Sequence, residues 1–224
     1  ATACNLHLMR HINAAKRNGA KLVVIDPKRV KVAEQAHLHL AIRPGTDVVL
    51  AWALAVELER LDGFDHAFIE EHVLGFAAYM ERAREYPPDR AAQICGVPAE
   101  DIRTLACWYR DSAPAVIAWG NGLERNQNGG SGLRAIAALP ALAGKFGVPG
   151  GGLVGGAGHA FPKTPEQLAR PDLVPAGTRT INIIDVSRLL LDDDLDPPLK
   201  ALFIYNHNPV IVHPQQNRMK QALA

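Results

Sequence analysis

The stretch KLVVIDPKR (residues 21–29) decides the fold. After Lys21 it runs through the apolar, largely β-branched Leu22–Ile25 and then an acid, Asp26. They lack the polar alternation of a strand with one wet face, which predicts a short parallel strand buried on both sides. Upstream, LHLMRHINAAKRNG (6–19), with Asn5 as its cap, predicts an amphipathic helix stopped by Gly19. Downstream, LHLAI (38–42) predicts a second strand, and RPGTD (43–47) a turn from which Asp47 can cap the helix VVLAWALAVELERLDG (48–63). Helices are expected over 65–73, 76–86, 89–94 and 99–112, the last behind Pro98 with two acids in its first turn. PAVIAWG (114–120) predicts a third strand. A helix over 131–146 follows, which Pro140 should kink or restart. After a Pro-rich surface segment (159–179), IIDVSRLLLDDD (183–194) predicts a short helix, LKALFIYN (199–206) a further buried strand, and QQNRMKQALA (215–224) a last helix. This alternation predicts an α/β fold: a doubly wound, mostly parallel sheet with helices on both faces, Rossmann-like and suited to nucleotides. Such sheets bind ligands at the carboxyl ends of their strands, so function is expected after Ile25, Ile42, Trp119 and Tyr205.

Composition narrows the function classes. The chain has 224 residues, 48% hydrophobic and 21% charged, which excludes disorder and fibrous repeats and allows a core without disulfides. A net charge of +1 gives no electrostatic reason to bind nucleic acid or an anionic membrane. No apolar run approaches the ~20 residues of a membrane span, and no signal peptide is visible. Cys4, Cys95 and Cys107 form no CxxC pair, so neither a disulfide framework nor a zinc or iron–sulfur site is signalled. Cys95 and Cys107 fit apolar helical patterns as small buried hydrophobes. This usage points to a reducing compartment, cytoplasmic rather than periplasmic.

The strand ends carry the candidate chemistry. Asp26 can accept hydrogen bonds from ribose hydroxyls, with Lys28 and Arg29 in reach of a phosphate; the alternative is an ordinary Asp-Pro turn. No GxGxxG follows a strand, which disfavours an NAD-type dehydrogenase. In RPGTD, a carboxylate at Asp47 can satisfy the adjacent N1–H and N2–H₂ donors of guanine while Gly45 permits close backbone approach; alternatively Thr46 and Asp47 only cap the next helix. NGLERNQNGG (121–130) carries amides, one Arg and three Gly, suited to a polar heterocycle or simply to solvent. GVPGGGLVGGAG (147–158), seven of twelve residues Gly, follows a helix rather than opening one and is expected to be a flexible or tightly turning connector. In YNHNP (205–209), backbone and amides are better ligand contacts than a lone His207. No Ser/His/Asp order or nucleophile elbow is present.

Six blocks in order, AAKRNGAKLVVIDPKR (14–29), AHLHLAIRPGTDVVLAWAL (36–54), GVPAEDIRTLACWY (96–109), PAVIAWGNGLERNQNGG (114–130), RAIAALPALAGKFGVPGGG (134–152) and ALFIYNHNPV (201–210), resemble the molybdopterin oxidoreductases. That group includes formate dehydrogenases, periplasmic nitrate reductases and dimethyl sulfoxide reductases. The resemblance implies bis(molybdopterin guanine dinucleotide) molybdenum as the parent's cofactor, two-electron or oxo-transfer chemistry on a small substrate, and roles such as anaerobic respiration. It implies that Ile25, Asp26, Pro27, Lys28 and Arg29 line one guanosine. Gly45, Thr46 and Asp47 would hold its guanine, Asn121, Gly122 and Arg125 would approach the cofactor, and Asn206, His207 and Asn208 would return toward the second dinucleotide. Arg125 stands where members often have a thioether or an amide, and Asn206 where they commonly have Gly. The family's metal ligand and four-cysteine motif belong upstream, so Cys4 is not assigned as a ligand and no catalytic or metal-binding residue is expected here. The implied organisation is a dinucleotide-binding α/β domain over 1–152, a Gly/Pro-rich connector with a short helix over 153–197, and the first strand and helix of a following domain over 198–224. On this reading the chain is an internal piece of a larger enzyme. It is expected to be inactive and cofactor-free alone, to pair with the parent's iron–sulfur and C-terminal domains, and to associate with itself when isolated. The rival reading is a non-catalytic nucleotide-binding or scaffold module.

Overall fold

The computed structural model describes residues 6–155 and 164–224. Cys4, the Asn5 cap and part of the Gly/Pro-rich connector lie outside them. The chain divides into two compact units, 1–161 and 162–224, so the division falls inside the expected connector.

The first unit opens with α1 (Leu8–Arg17), which ends at Asn18 and Gly19, the glycine at φ +89°. The strands β1 (Val23–Ile25) and β2 (Leu38–Leu40) pair in parallel, with Val23 opposite Leu38 and Ile25 opposite Leu40. Between them lies only one turn of 3₁₀ helix, Ala33–Gln35. Helix α2 (Asp47–Arg60) follows, and then α3 (His66–His72), α4 (Phe76–Ala83), α5 (Pro88–Cys95) and α6 (Ala99–Asp111). β3 (Val116–Ala118) leads through α7 (Asn121–Glu124) and α8 (Gly129–Leu142) to β4 (Gly152–Val154), which pairs with β3 in parallel.

α2 is the hub. Val48, Val49, Leu50, Ala51, Ala53, Leu54, Ala55, Glu57 and Leu58 are all buried, so the helix is covered on every side rather than along one stripe. Helices α4, α5, α6 and α8 pack around it. Glu57 is tolerated inside because Arg60 donates to its carboxylate through Nε (2.9 Å) and Nη2 (2.6 Å). Buried Lys145 fixes the join from α6 to β3, its Nζ donating to Ser112 O (2.7 Å) and Arg110 O (3.2 Å). Burial pushes the Lys145 ammonium pKa down.

The mixed helix and parallel-strand character matches expectation; the single doubly wound sheet does not. Among the described residues there are two separate two-stranded sheets, β1–β2 and β3–β4, whose strands are three residues long. So few rungs cannot carry a domain, and the helices around α2 supply the core. The Gly-rich segment is not merely a connector, since it provides β4. A Cβ at Gly155 would stand 2.0 Å from Trp119 Cζ2, so the indole lies where only glycine leaves room. Helix α8 runs through Pro140 without restarting; the proline sits in the last turn, where it removes a single helical hydrogen bond.

The second unit contains α9 (Pro165–Ala169), α10 (Val186–Leu189), α11 (Pro209–Val212) and α12 (Gln216–Ala222). The strand expected over 199–206 does not form: among the described residues no ladder partner pairs with it, and a strand has no internal hydrogen bonds to hold it. Phe203 and Tyr205 are 91% and 82% exposed. The expected helix over 183–194 shortens to a 3₁₀ turn (Ile183–Asp185) and α10.

Leu58, fully buried on α2, and Leu74, fully exposed, make a matched pair. Leu58→Ala is expected to lose about 2–5 kcal/mol in denaturant titration of the cofactor-free protein. Leu74→Ala should change stability by less than about 0.5 kcal/mol. Equal effects would contradict the placement of the core at α2.

Candidate functional site

The site residues of the first unit lie on three loops at carboxyl ends of strands. After β1, the Asp26 N–H donates to Leu40 O at 3.1 Å, extending the ladder by one rung. Asp26 Oδ1 accepts the Lys28 N–H at 2.8 Å, closing an Asx turn over Pro27. The turn does not exhaust the carboxylate, which retains its second oxygen. His39 Nε2 is hydrogen-bonded to Asp26 O at 2.9 Å. Ile25, Pro27, Lys28 and Arg29 are exposed, and among the described residues neither Lys28 nor Arg29 forms an ion pair.

After β2, Arg43 holds the loop. Its N–H donates to Cys95 O (2.8 Å), and its Nη1 donates to Gln93 O (2.7 Å) and Ile94 O (3.1 Å). These carbonyls belong to the last turn of α5, where helical partners run out and a cation is favoured. A Cβ at Gly96 would meet Arg43 Nε at 3.0 Å, and Gly96 adopts φ +74°. The turn then closes on itself: Thr46 Oγ1 donates to Arg43 O at 2.7 Å. Thr46 stands at the N-cap of α2, but neither it nor Asp47 provides the expected side-chain cap. Asp47 is the first helical residue. Burial pushes its carboxyl pKa up, while the backbone N–H groups of Asp47 and Gly45 pull it partly back. The buried Cys95 thiol donates to Thr46 O at 3.6 Å, and burial raises its pKa too. Cys107, expected to be buried, is only half-buried.

After β3, Trp119 Nε1 donates to Glu124 Oε1 at 2.7 Å across α7. Asn126 Nδ2 donates to Gly122 O (2.8 Å), and Asn128 Nδ2 donates to Gly45 O (2.8 Å). The last bond joins this loop to the loop after β2 across 83 residues of sequence. The structure thus brings Gly45, Thr46 and Asp47 together with the 121–130 loop. Asn121, Gly122 and Arg125 are exposed along it. Arg43, Asn126 and Asn128 were not singled out by the sequence. Arg43 and Asn128 bond to distant carbonyls and Asn126 to Gly122 O four residues away; the Arg directly before Pro-Gly and the amides of the 121–130 loop were the signals.

In the second unit, Asn206 adopts φ +50°, the left-handed region where Asn or Gly is at home, which accounts for a residue other than Gly there. Asn208 Oδ1 accepts the Ile211 N–H at 3.3 Å as the cap of α11. His207 Nε2 meets His213 Nε2 at 2.9 Å. The side chains of His207 and Asn208 are therefore engaged locally, and residues 206–208 are exposed. Among the described residues no group of three or more His, Cys, Asp or Glu could hold a metal ion, and no helix is long and apolar enough to cross a membrane.

These loops expose polar groups at the carboxyl ends of the strands of an α/β segment. A family model for molybdopterin oxidoreductases matches residues 2–224, and the chain belongs to that family. It is 36% identical over 224 residues to the probable oxidoreductase YoaE of Bacillus subtilis, covering all of this chain and 33% of that protein. It is 33% identical over 143 residues to formate dehydrogenase H of Escherichia coli, covering 64% of this chain and 20% of that one. Among solved structures, acetylene hydratase from Pelobacter acetylenicus matches with a TM-score of 0.61 and 35% identity over 63% of this chain and 19% of that chain. The chain thus spans a third or less of the length of these relatives.

The raised Asp47 pKa has a stability consequence. Below the ordinary value of 3.8 the carboxyl is protonated whether folded or unfolded and costs nothing. As pH rises through the higher folded value, the fold must hold a partly desolvated charge and loses stability. Asp47→Asn should therefore raise the thermal midpoint of the cofactor-free protein at neutral pH, with the gain vanishing below pH 3.8. A gain independent of pH would show that the charge is not the cause.

Proposed function

We propose that this chain supplies guanosine recognition for bis(molybdopterin guanine dinucleotide) in a larger molybdenum oxidoreductase. The observation that carries the reading is the fixed, partly desolvated Asp47 carboxylate beside Gly45, in a loop clamped by Arg43 and Asn128. The residues fit the group. Gly45 adopts φ +83°, and a Cβ there would meet Asn128 Oδ1 at 3.7 Å and Asn126 Oδ1 at 3.8 Å, ordinary contact distances. Asp47 offers a carboxylate to a paired N–H edge, and Lys28 and Arg29 offer unpaired cations to phosphate. Asp26 keeps an oxygen for a ribose hydroxyl. In the second unit, the backbone at Asn206, His207 and Asn208 would face the second dinucleotide.

When bound, the molybdenum–pterin group supplies the two-electron chemistry. This chain's residues bind and orient its nucleotide end. Relatives sharing the segment carry names as different as formate dehydrogenase, nitrate reductase and acetylene hydratase, which supports a role common to all of them, holding the cofactor, rather than selecting a substrate. A scaffold module without a catalytic parent has no observation in its favour. Exposed Phe203, Tyr205, Ile211 and Val212 are suited to burial against other parts of the parent or, in the isolated chain, against a second copy.

In the full-length protein, Asp47→Ala should lower molybdenum and releasable GMP per chain together, while the midpoint of the cofactor-free form does not fall. Unchanged molybdenum and GMP with a lowered midpoint would mean that Asp47 serves only the helix, and the guanine reading would fail.

A further inference from the structure

His207 and His213 stand on either side of α11, and their imidazoles meet. Nε2 of one lies 2.9 Å from Nε2 of the other, with ring centroids 4.9 Å apart and ring planes at 65°. The chain between them is fixed. Pro209 opens α11, the Asn208 carboxamide accepts the Ile211 N–H, and the His213 N–H donates to Pro209 O at 3.2 Å. Among the described residues neither Nδ1 has a hydrogen-bond partner. His207 is exposed and His213 half-buried. The guanosine reading uses the backbone of this loop and gives the two imidazoles no task. Their separation is a coordination distance. An imidazole nitrogen binds a divalent transition ion at ~2.0–2.1 Å, so two of them on neighbouring corners of a square stand ~2.9 Å apart, and on corners of a tetrahedron ~3.3 Å apart. As neutral rings the pair holds one Nε2–H between them. Shifting that proton to the unpartnered Nδ1 of the same ring leaves two Nε2 lone pairs, and no proton has to be released.

We propose that His207 and His213 form a two-imidazole site for a divalent transition ion of tetragonal preference, copper(II) or nickel(II), with water completing the shell. Such ions favour square sets of nitrogen and oxygen, and copper(II) heads the affinity order for nitrogen ligands. Zinc(II) prefers a tetrahedron and would have to open the pair by ~0.4 Å. Both ligands come from one compact unit, and the exposed His207 gives an ion its route from solvent. Bound there, the ion would tie the two ends of α11 together. It is a second metal, distinct from the molybdenum of the parent's cofactor, and the inference does not depend on the guanine reading.

The test uses the full-length protein purified without its cofactor. It is titrated by calorimetry with copper(II), nickel(II) and zinc(II) chloride at neutral pH, and the copper(II) form is followed by electron paramagnetic resonance. Affinity should fall from copper to nickel to zinc, and the copper spectrum should be tetragonal with coupling to two nitrogens. His207→Ala and His213→Ala should each weaken copper(II) binding at least about tenfold and remove the two-nitrogen signal, since even groups outside a ligand shell are worth about 10–100-fold. His213→Gln guards against a purely structural effect. Its amide can keep a hydrogen bond to His207 but supplies no imidazole, so the metal-free thermal midpoint should hold while copper(II) is still lost. His11→Ala is the control, because His7 and His11 stand four residues apart at the start of α1 and are a competing pair. Copper(II) binding that is lost with His11 and kept in the variants at 207 and 213 would put the ion at α1 and overturn the inference. Equal copper(II) affinity in every variant, or no binding by the unmodified protein, would overturn it as well.

Discussion

The burial of α2 on every side is the constraint on which the rest of the first unit depends. A helix with one apolar stripe can rotate or slide over its support; one enclosed by α4, α5, α6 and α8 cannot without opening the core. Its first residue, Asp47, is therefore held by the packing of residues far from any ligand. The carboxylate that is least comfortable in the fold stands at the end of the element that is most securely held.

Two clamps extend that rigidity to the neighbouring loops. Arg43 ties the turn before α2 to the C-terminal carbonyls of α5, and Asn128 ties the loop after β3 to the same turn. Both use backbone carbonyls as acceptors, so each fixes main chain rather than a mobile side chain. The two small sheets set the direction: their parallel strands send the loops after β1 and β2, and the loop after β3, off carboxyl ends. The family's relatives span several times this length.

Helices were legible in the sequence where a periodic apolar pattern met a clear stop. Gly19 ends α1, and Pro98 opens α6. Strand positions were legible at 23–25 and 116–118 from β-branched runs and at 38–40 from the short run LHLAI. Pairing was not, because it depends on which elements come between. The single turn of 3₁₀ helix between β1 and β2, and a β4 drawn from a Gly-rich stretch, leave two small sheets where alternation suggested one. The run at 199–206 has strand composition but no neighbour to pair with among the described residues. At the turn before α2, the chemistry of guanine and the family pattern marked Gly45 and Asp47 as candidates. The bonds of Arg43 and Asn128 were not legible, since a guanidinium or amide bonded to a carbonyl 50 or 83 residues away leaves no local pattern.

The central claim is that the turn before α2 reads a guanine base. It is tested most directly by an experimental structure of the full-length protein with its cofactor bound, at a resolution that shows the base edge. The account predicts a guanine whose N1–H and N2 lie within hydrogen-bonding distance of the Asp47 carboxylate, with the ring against Gly45. A cofactor whose guanine sits on other loops, leaving Asp47 facing solvent or protein, would contradict it.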